Sequence, residues 1–168
     1  RIDLVLAAAA RLLPARPRLH VLLVGDGPER PALERLAASL GLRDRTHFAG
    51  LRPDAAALYR ALDVFCMPSD REGLPLALLE ALAAARPAVV TPVGGIPEVI
   101  GDPRGRGAAA LVVAPGDTEG LARAIARLLD DPGLRAELGA AGRRRVEAHF
   151  SRGEMAEATA RLYDELLG

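Results

Sequence analysis

The sequence predicts an α/β domain built on a doubly wound parallel sheet, with helices on both faces of the sheet. Five short apolar segments of strand length alternate along the chain with longer segments of helical periodicity. Strands separated by helices form βαβ units, whose strands run parallel. With 168 residues, of which 50% are hydrophobic, the chain can bury one substantial core, and a single domain over 1–168 is therefore predicted.

The first half of the chain shows clear start and stop signals. An apolar helix over 2–13 is stopped by two prolines, and the apolar run at 19–24, interrupted only by His20, is typical of a strand covered on both faces. Pro28 is predicted to be the first residue of the next helix, which ends near Leu40 with Gly41 as a left-handed cap. A strand is predicted at 46–49, and Asp54 is expected to cap a helix over 55–62.

The second half follows the same alternation. Strands are predicted at 63–67, 88–91 and 109–113, and helices at 75–85, 96–100, 118–130, 133–149 and 152–167, with a glycine- and arginine-rich loop over 101–107.

The order of these elements predicts a missing neighbour in the sheet. The chain begins with a helix, whereas a doubly wound sheet begins with a strand that lies at its centre. We therefore expect the first strand to lie upstream of Arg1 and expect a gap, or an unusual pairing, beside the strand at 19–24.

Composition excludes several partners. The 22 basic residues, all arginine, balance 22 acidic residues and are scattered among them, so no nucleic-acid partner is predicted. The single cysteine, Cys66, stands in an apolar run and is predicted to be a buried free thiol. No segment is apolar enough to span a membrane and the first residues do not resemble a signal peptide, so a cytoplasmic location is expected.

The candidate site is the stretch 67–81, in which a strand, a polar loop and a helix start succeed one another. The loop carries Glu72 and Gly73, Pro75 opens the helix, and Glu80 lies within it. The free N–H groups and the dipole of a helix N-terminus favour a phosphate, whereas ionised carboxylates accept hydrogen bonds from paired hydroxyls. A phosphate beside a polyol indicates a nucleotide sugar. The plainer interpretation of Glu72 is a loop carboxylate stabilised by the helix dipole.

Six segments in one order resemble the C-terminal, donor-binding domain of group 1 (family four) retaining glycosyltransferases of the GT-B fold. They are GDGPE at 25–29, FAG at 48–50, the run from Asp63 to Ser69, the run from Glu72 to Ala81, Pro87, and GGIPE at 94–98. The resemblance extends over the whole of 1–168.

This resemblance implies a role for each matching residue. Glu72 is the first glutamate of the family's E-x7-E motif and contacts the transferred sugar as the catalytic residue, while Glu80 is the second and holds the ribose hydroxyls. His47 and Phe48 fall where the family places the nucleobase. The turn whose backbone N–H groups face the sugar and diphosphate corresponds to Gly73, Leu74, Pro75 and Leu76. Such an enzyme transfers a sugar from a nucleoside diphosphate with retention, using neither a required metal nor a cofactor.

The sequence also departs from the family. The principal phosphate-binding cations and the N-terminal acceptor domain precede the part that matches this chain, so we expect these 168 residues alone to be inactive. Arg1 stands at or beside the position of one such cation and is left unassigned. Ala85 replaces a glycine, which costs about 1 kcal/mol if the position is left-handed.

Two other classes of function stay open at this point. One is another GT-B enzyme, such as a sugar-nucleotide epimerase or a phosphorylase, although these rarely combine the Glu72–Glu80 pair with the GGIPE segment. The other is a non-catalytic nucleotide-binding or assembly module. The nucleotide, the sugar and the acceptor cannot be inferred from the residues.

Overall fold

The computed structural model describes residues 1–102 and 108–168 and shows an α/β fold. The strands are β1 (Val21–Val24), β2 (Thr46–Gly50), β3 (Phe65–Met67), β4 (Ala88–Val90) and β5 (Ala110–Val112). The helices are α1 (Ile2–Leu12), α2 (Arg30–Ser39), α3 (Ala55–Tyr59), α4 (Leu76–Ala83), α5 (Ile96–Ile100), α6 (Thr118–Asp130), α7 (Pro132–His149) and α8 (Arg152–Leu167). The loop predicted over 101–107 lies outside the described residues from position 103 onward.

The five strands pair with one another in parallel, as predicted, and the pairing falls into two groups; an isolated antiparallel bridge joins Gly25 to Gly50. β1 pairs with β2, in a register that places Val21 opposite Thr46, and β3, β4 and β5 pair in that order. Within the described residues β1 has no strand partner on its other side. The predicted gap beside this strand is thus confirmed.

Helices cover both faces of the β3–β4–β5 sheet, and the side chains of β4 show why. Val89 packs in one apolar cluster with residues of α1 and α6, whereas Ala88 and Val90 pack in a second cluster with α4 and α5. Successive side chains of a strand point to opposite faces, so a strand covered on both faces must be apolar throughout. A third cluster joins α1 and α2 to one face of β1.

Two helix starts and one predicted cap differ from the predictions, and α3, which begins at Ala55 as predicted, ends at Tyr59 rather than at residue 62. Pro28 is not the first helical residue: Arg30 N donates to Gly27 O at 3.1 Å in a turn, and α2 begins only at Arg30. Asp54 stands at the N-cap position of α3 but makes no capping bond, because its carboxylate accepts two hydrogen bonds from Arg52 at 2.7 and 2.6 Å. Pro75 is the N-cap of α4 rather than its first helical residue.

The lone cysteine belongs to the packing of the core. Cys66 is partly buried against the cluster that joins α1 and α6 to β4. Burial raises the pKa of its thiol to about 12, so the thiol is protonated at neutral pH and is not a nucleophile.

No helix among the described residues has the length and apolarity that a membrane span requires.

Ala85, which stands where the family has a glycine, adopts the left-handed conformation. Its φ is 57°, and it is the only non-glycine residue with positive φ in the described part of the chain. It follows the end of α4, where the chain turns next to α7: a Cβ added at Gly139 would lie 2.3 Å from Ala85 O. The close contact between α4 and α7 thus holds Ala85 in a conformation that alanine disfavours.

Replacing Ala85 with glycine should therefore stabilise the protein by about 1 kcal/mol, because glycine adopts positive φ without a steric cost. Chemical denaturation measures the change. The matched control is Ala83→Gly, at the end of α4 in ordinary helical conformation, which should lose up to about 1 kcal/mol. A loss of stability in Ala85→Gly would show that the turn is not strained.

Candidate functional site

The candidate site lies where β3 and β4 end, because parallel strands bring their carboxyl ends to one edge of the sheet. The loop after β3 and the turn after β4 are joined by a hydrogen bond from Gly95 N to Gly73 O at 3.1 Å. Thr91, fully buried, donates its hydroxyl to Ser69 O at 2.5 Å. These two bonds fix the polar loop on the edge of the sheet.

The two glycines after β4 are required by this contact. A Cβ on Gly94 would lie 1.8 Å from Glu72 O, and φ of Gly94 is 54°. A Cβ on Gly95 would lie 2.5 Å from Gly73 O. The backbone of Glu72 and Gly73 therefore packs directly against the predicted turn at 94–95.

Glu72 is half-buried and has one carboxylate oxygen occupied. Ser69 Oγ donates to Glu72 Oε1 at 2.6 Å. Among the described residues Oε2 has no hydrogen-bond partner. The carboxylate is thus oriented by the protein on one side and open to a hydroxyl donor on the other.

Glu80 is exposed and is oriented in the same way. The Tyr59 hydroxyl donates to Glu80 Oε2 at 2.9 Å, and no other polar partner of Glu80 is found in the described part of the chain. Burial, and secondly the hydrogen bond to Glu80, raise the pKa of Tyr59 to about 12, so the phenol keeps its proton at neutral pH. The carboxylate avoids its leucine neighbours on α4 by facing solvent.

The start of α4 lies between the two glutamates in sequence and offers free backbone donors. Its N-cap, Pro75, makes no side-chain cap, and the N–H groups of Leu76 and Ala77 have no acceptor among residues 1–102 and 108–168. Gly73, Leu74 and Leu76 are exposed, whereas Pro75 is buried. The helix start can therefore hold an anion in the way predicted.

Arg1 lies beside the same loop. Its guanidinium bonds to Asp70 at 3.0 Å and to Asp3 of α1, and it holds the pKa of the Asp3 carboxyl below its usual value. The start of α1 is thereby held next to the loop after β3. Two carboxylates already share the charge of Arg1, which leaves little of it for a phosphate.

His47 and Phe48 lie on β2, in the other sheet, and point to opposite faces of it. His47 Nε2 bonds to His20 Nδ1 at 2.8 Å, and Arg45 bonds to the other ring nitrogen of His20 at 3.1 Å. Phe48 packs against the cluster of α1 and α2, with the Arg30 guanidinium 5.7 Å from its ring centre. No hydrogen bond or ring contact joins either side chain to 67–81 in the described residues.

A groove of the described surface lies elsewhere. It has a volume of about 580 Å³ and runs between α2 and β2, where it is lined by Pro31, Glu34, Arg35, Ala37, Ala38, Arg43, Thr46 and Phe48. It does not include Glu72 or Glu80.

No three His, Cys, Asp or Glu side chains of the described residues converge as a metal site.

A sequence model of the family described as glycosyl transferases group 1 matches residues 1–145. This chain belongs to that family. The match contains Glu72, Glu80 and the turn at 94–95, and it confirms the family resemblance of the sequence.

Several proteins to which this chain is similar are named glycosyltransferases. The lipopolysaccharide core biosynthesis glycosyltransferase LpsD of Rhizobium meliloti is 39% identical over 145 residues, covering 86% of this chain and 41% of LpsD. The sucrose-phosphate synthase of Thermosynechococcus elongatus superposes with a TM-score of 0.86 at 34% identity, over 98% of this chain and 42% of the synthase.

The chain spans about two fifths of the length of each of these two proteins. A third comparison matches a single domain. The C-terminal domain of the group 1 glycosyltransferase LpcC from Francisella tularensis, solved as a separate domain, superposes with a TM-score of 0.78 at 25% identity, over 90% of this chain and 80% of the LpcC domain. The likeness confirms the GT-B C-terminal fold.

The substitution Gly94→Ala should displace the Glu72 loop, since it combines a clash with the Glu72 carbonyl and a strained φ. We expect a loss of at least about 2 kcal/mol in the free energy of unfolding. Gly27→Ala is the control, because nothing lies within 4 Å of a Cβ at Gly27 and its φ is not positive. Equal stabilities of the two variants would contradict the close contact.

Proposed function

We propose that this chain is the donor half of a retaining glycosyltransferase that binds a nucleoside-diphosphate sugar and transfers the sugar without a required metal. The observation that carries the proposal is the stretch 67–81, in which the free N–H groups at the start of α4 lie in sequence between two carboxylates that each have an open oxygen. Family membership is the independent support.

The diphosphate is assigned to the start of α4. The N–H groups of Leu76 and Ala77 and the positive end of the helix dipole meet the negative charge that grows on the departing diphosphate. These donors are already fixed by the helix, so they need no reorganisation during transfer. The backbone N–H groups of Gly73 and Leu74, just before the helix, are assigned to the same diphosphate and sugar.

Glu72 is assigned to the hydroxyls of the transferred sugar and Glu80 to those of the ribose. Each carboxylate has one oxygen held by a protein hydroxyl and the other open, an arrangement that receives hydroxyl donors but repels phosphate. Glu72 contributes to catalysis by holding the sugar in place against the leaving diphosphate.

The nucleobase is assigned to the backbone of β2 at 47–48. The His47 side chain is engaged with His20, and Phe48 is packed towards α2. Main-chain groups of the strand, rather than two side chains on opposite faces, would therefore face the base.

The acceptor is assigned to a part of the protein beyond this chain, as the lengths of LpsD and the synthase suggest. It follows that residues 1–168 alone should bind the donor but not transfer its sugar. The cytoplasmic location and the strand expected beside β1 stay predictions.

The complete polypeptide should release nucleotide and form glycosylated product with one of the common nucleotide sugars. Glu80→Ala should lower kcat/KM by a factor that corresponds to a loss of about 1.5–3 kcal/mol in transition-state stabilisation, the range for hydrogen bonds to charged groups. Glu72→Gln should lower kcat by at least the same factor. Exposed Glu137 on α7 supplies the control, Glu137→Ala. Full activity in both site variants would refute the assignment.

A further inference from the structure

We propose that Tyr59 is a positioning residue that holds the Glu80 carboxylate ready for a ribose diol, and so makes donor recognition depend on the ribose hydroxyls. The inference rests on the proposed function of Glu80. The observation behind it is the hydrogen bond from the Tyr59 hydroxyl to Glu80 Oε2 at 2.9 Å, which joins α3 to α4.

The position of the Tyr59 hydroxyl is set by the packing of its ring. Tyr59 is the last residue of α3 and is half-buried. Its ring meets the ring of Phe65, the first residue of β3, edge-on, with centroids 6.0 Å apart and planes at 65°. Contacts of this kind orient aromatic rings, and a tyrosine has few torsions left once its ring is packed. The hydroxyl is therefore tied to the strand that leads into the site.

The hydrogen bond has one direction. Because the phenol of Tyr59 keeps its proton at neutral pH, it donates, and the ionised Glu80 carboxylate accepts. A carboxylate has about four acceptor positions, so one bond to Oε2 leaves Oε1 and part of Oε2 open. Two vicinal hydroxyls can then each reach an oxygen of the same group.

Without this bond Glu80 would be an exposed helical side chain with several free torsions. Ordering such a side chain on ligand binding costs rotamer entropy. Glu72 has the corresponding support from Ser69, also through a neutral hydroxyl on one oxygen. Both glutamates of the site are thus held before the ligand arrives. Their partners, Tyr59 and Ser69, are not part of the E-x7-E motif itself.

A purely structural role for Tyr59 makes a different prediction. If the hydroxyl only linked α3 to α4, its removal would weaken binding of every nucleotide alike. A positioning role weakens binding only of nucleotides that carry ribose hydroxyls.

The test uses the complete polypeptide and calorimetric titration with UDP, GDP and ADP, followed by the 2′,3′-dideoxy form of whichever binds tightest. Tyr59→Phe keeps the ring and removes the hydroxyl. We expect its affinity for the ribonucleotide to fall about fivefold and its affinity for the dideoxynucleotide to change less than about twofold. In a Glu80→Ala background, which leaves the Tyr59 hydroxyl without its acceptor, Tyr59→Phe should have no further effect on the ratio of the two affinities.

The chain has one other tyrosine, exposed Tyr163 on α8, and Tyr163→Phe is the matched control that should change neither affinity. An equal loss for both nucleotides in Tyr59→Phe, including a loss through unfolding, would overturn the positioning role. If Glu80→Ala itself leaves the ratio unchanged, or no nucleotide binds, the proposed function of Glu80 fails. If Glu80→Ala lowers the ratio and Tyr59→Phe does not, only the inference on Tyr59 fails.

Discussion

The contact between the turn at 94–95 and the backbone of Glu72 and Gly73 is the constraint on which the candidate site depends. Glycine is needed at Gly94 because any side chain would overlap the Glu72 carbonyl. Once that contact is made, the loop after β3 has one position, and Thr91 and Ser69 secure it from within. The backbone of Glu72 is thereby placed by these contacts, and the Ser69 hydroxyl orients its carboxylate.

The fold explains why this contact occurs at the carboxyl edge of the sheet. β3 and β4 run parallel and are covered on both faces, so their ends are the first places where polar groups can gather. α4 starts at the same edge and adds unbonded N–H groups beside the loop. A candidate site for a charged, hydroxyl-rich ligand follows from the packing of apolar strands, and it lies outside the groove between α2 and β2.

Most of the fold was predictable, since alternating apolar strands and helices carry their own periodicity, and Gly41, with φ of 72°, ends α2 as expected. The differences arose from local hydrogen bonds that leave no distinct sequence pattern. Arg30 N bonds to Gly27 O in the turn before α2, and the Asp54 carboxylate accepts from Arg52 instead of capping α3. Both candidate glutamates were chosen from the stretch of strand, loop and helix at 67–81 and from the resemblance to the family's E-x7-E motif. Their supports differ: Ser69 is three residues from Glu72, but Tyr59 is 21 residues from Glu80, and only the fold brings them together.

The central claim is that a nucleoside diphosphate binds at the start of α4 and not in the groove between α2 and β2. The most direct test is a titration of the nitrogen-15-labelled polypeptide with UDP, GDP and ADP, monitored by the NMR signals of its backbone amides. The account predicts that one nucleotide shifts the amide signals of Gly73 and Leu76 and leaves that of Arg43 in the groove unchanged. Shifts confined to the groove residues, or none with any of the three nucleotides, would contradict it.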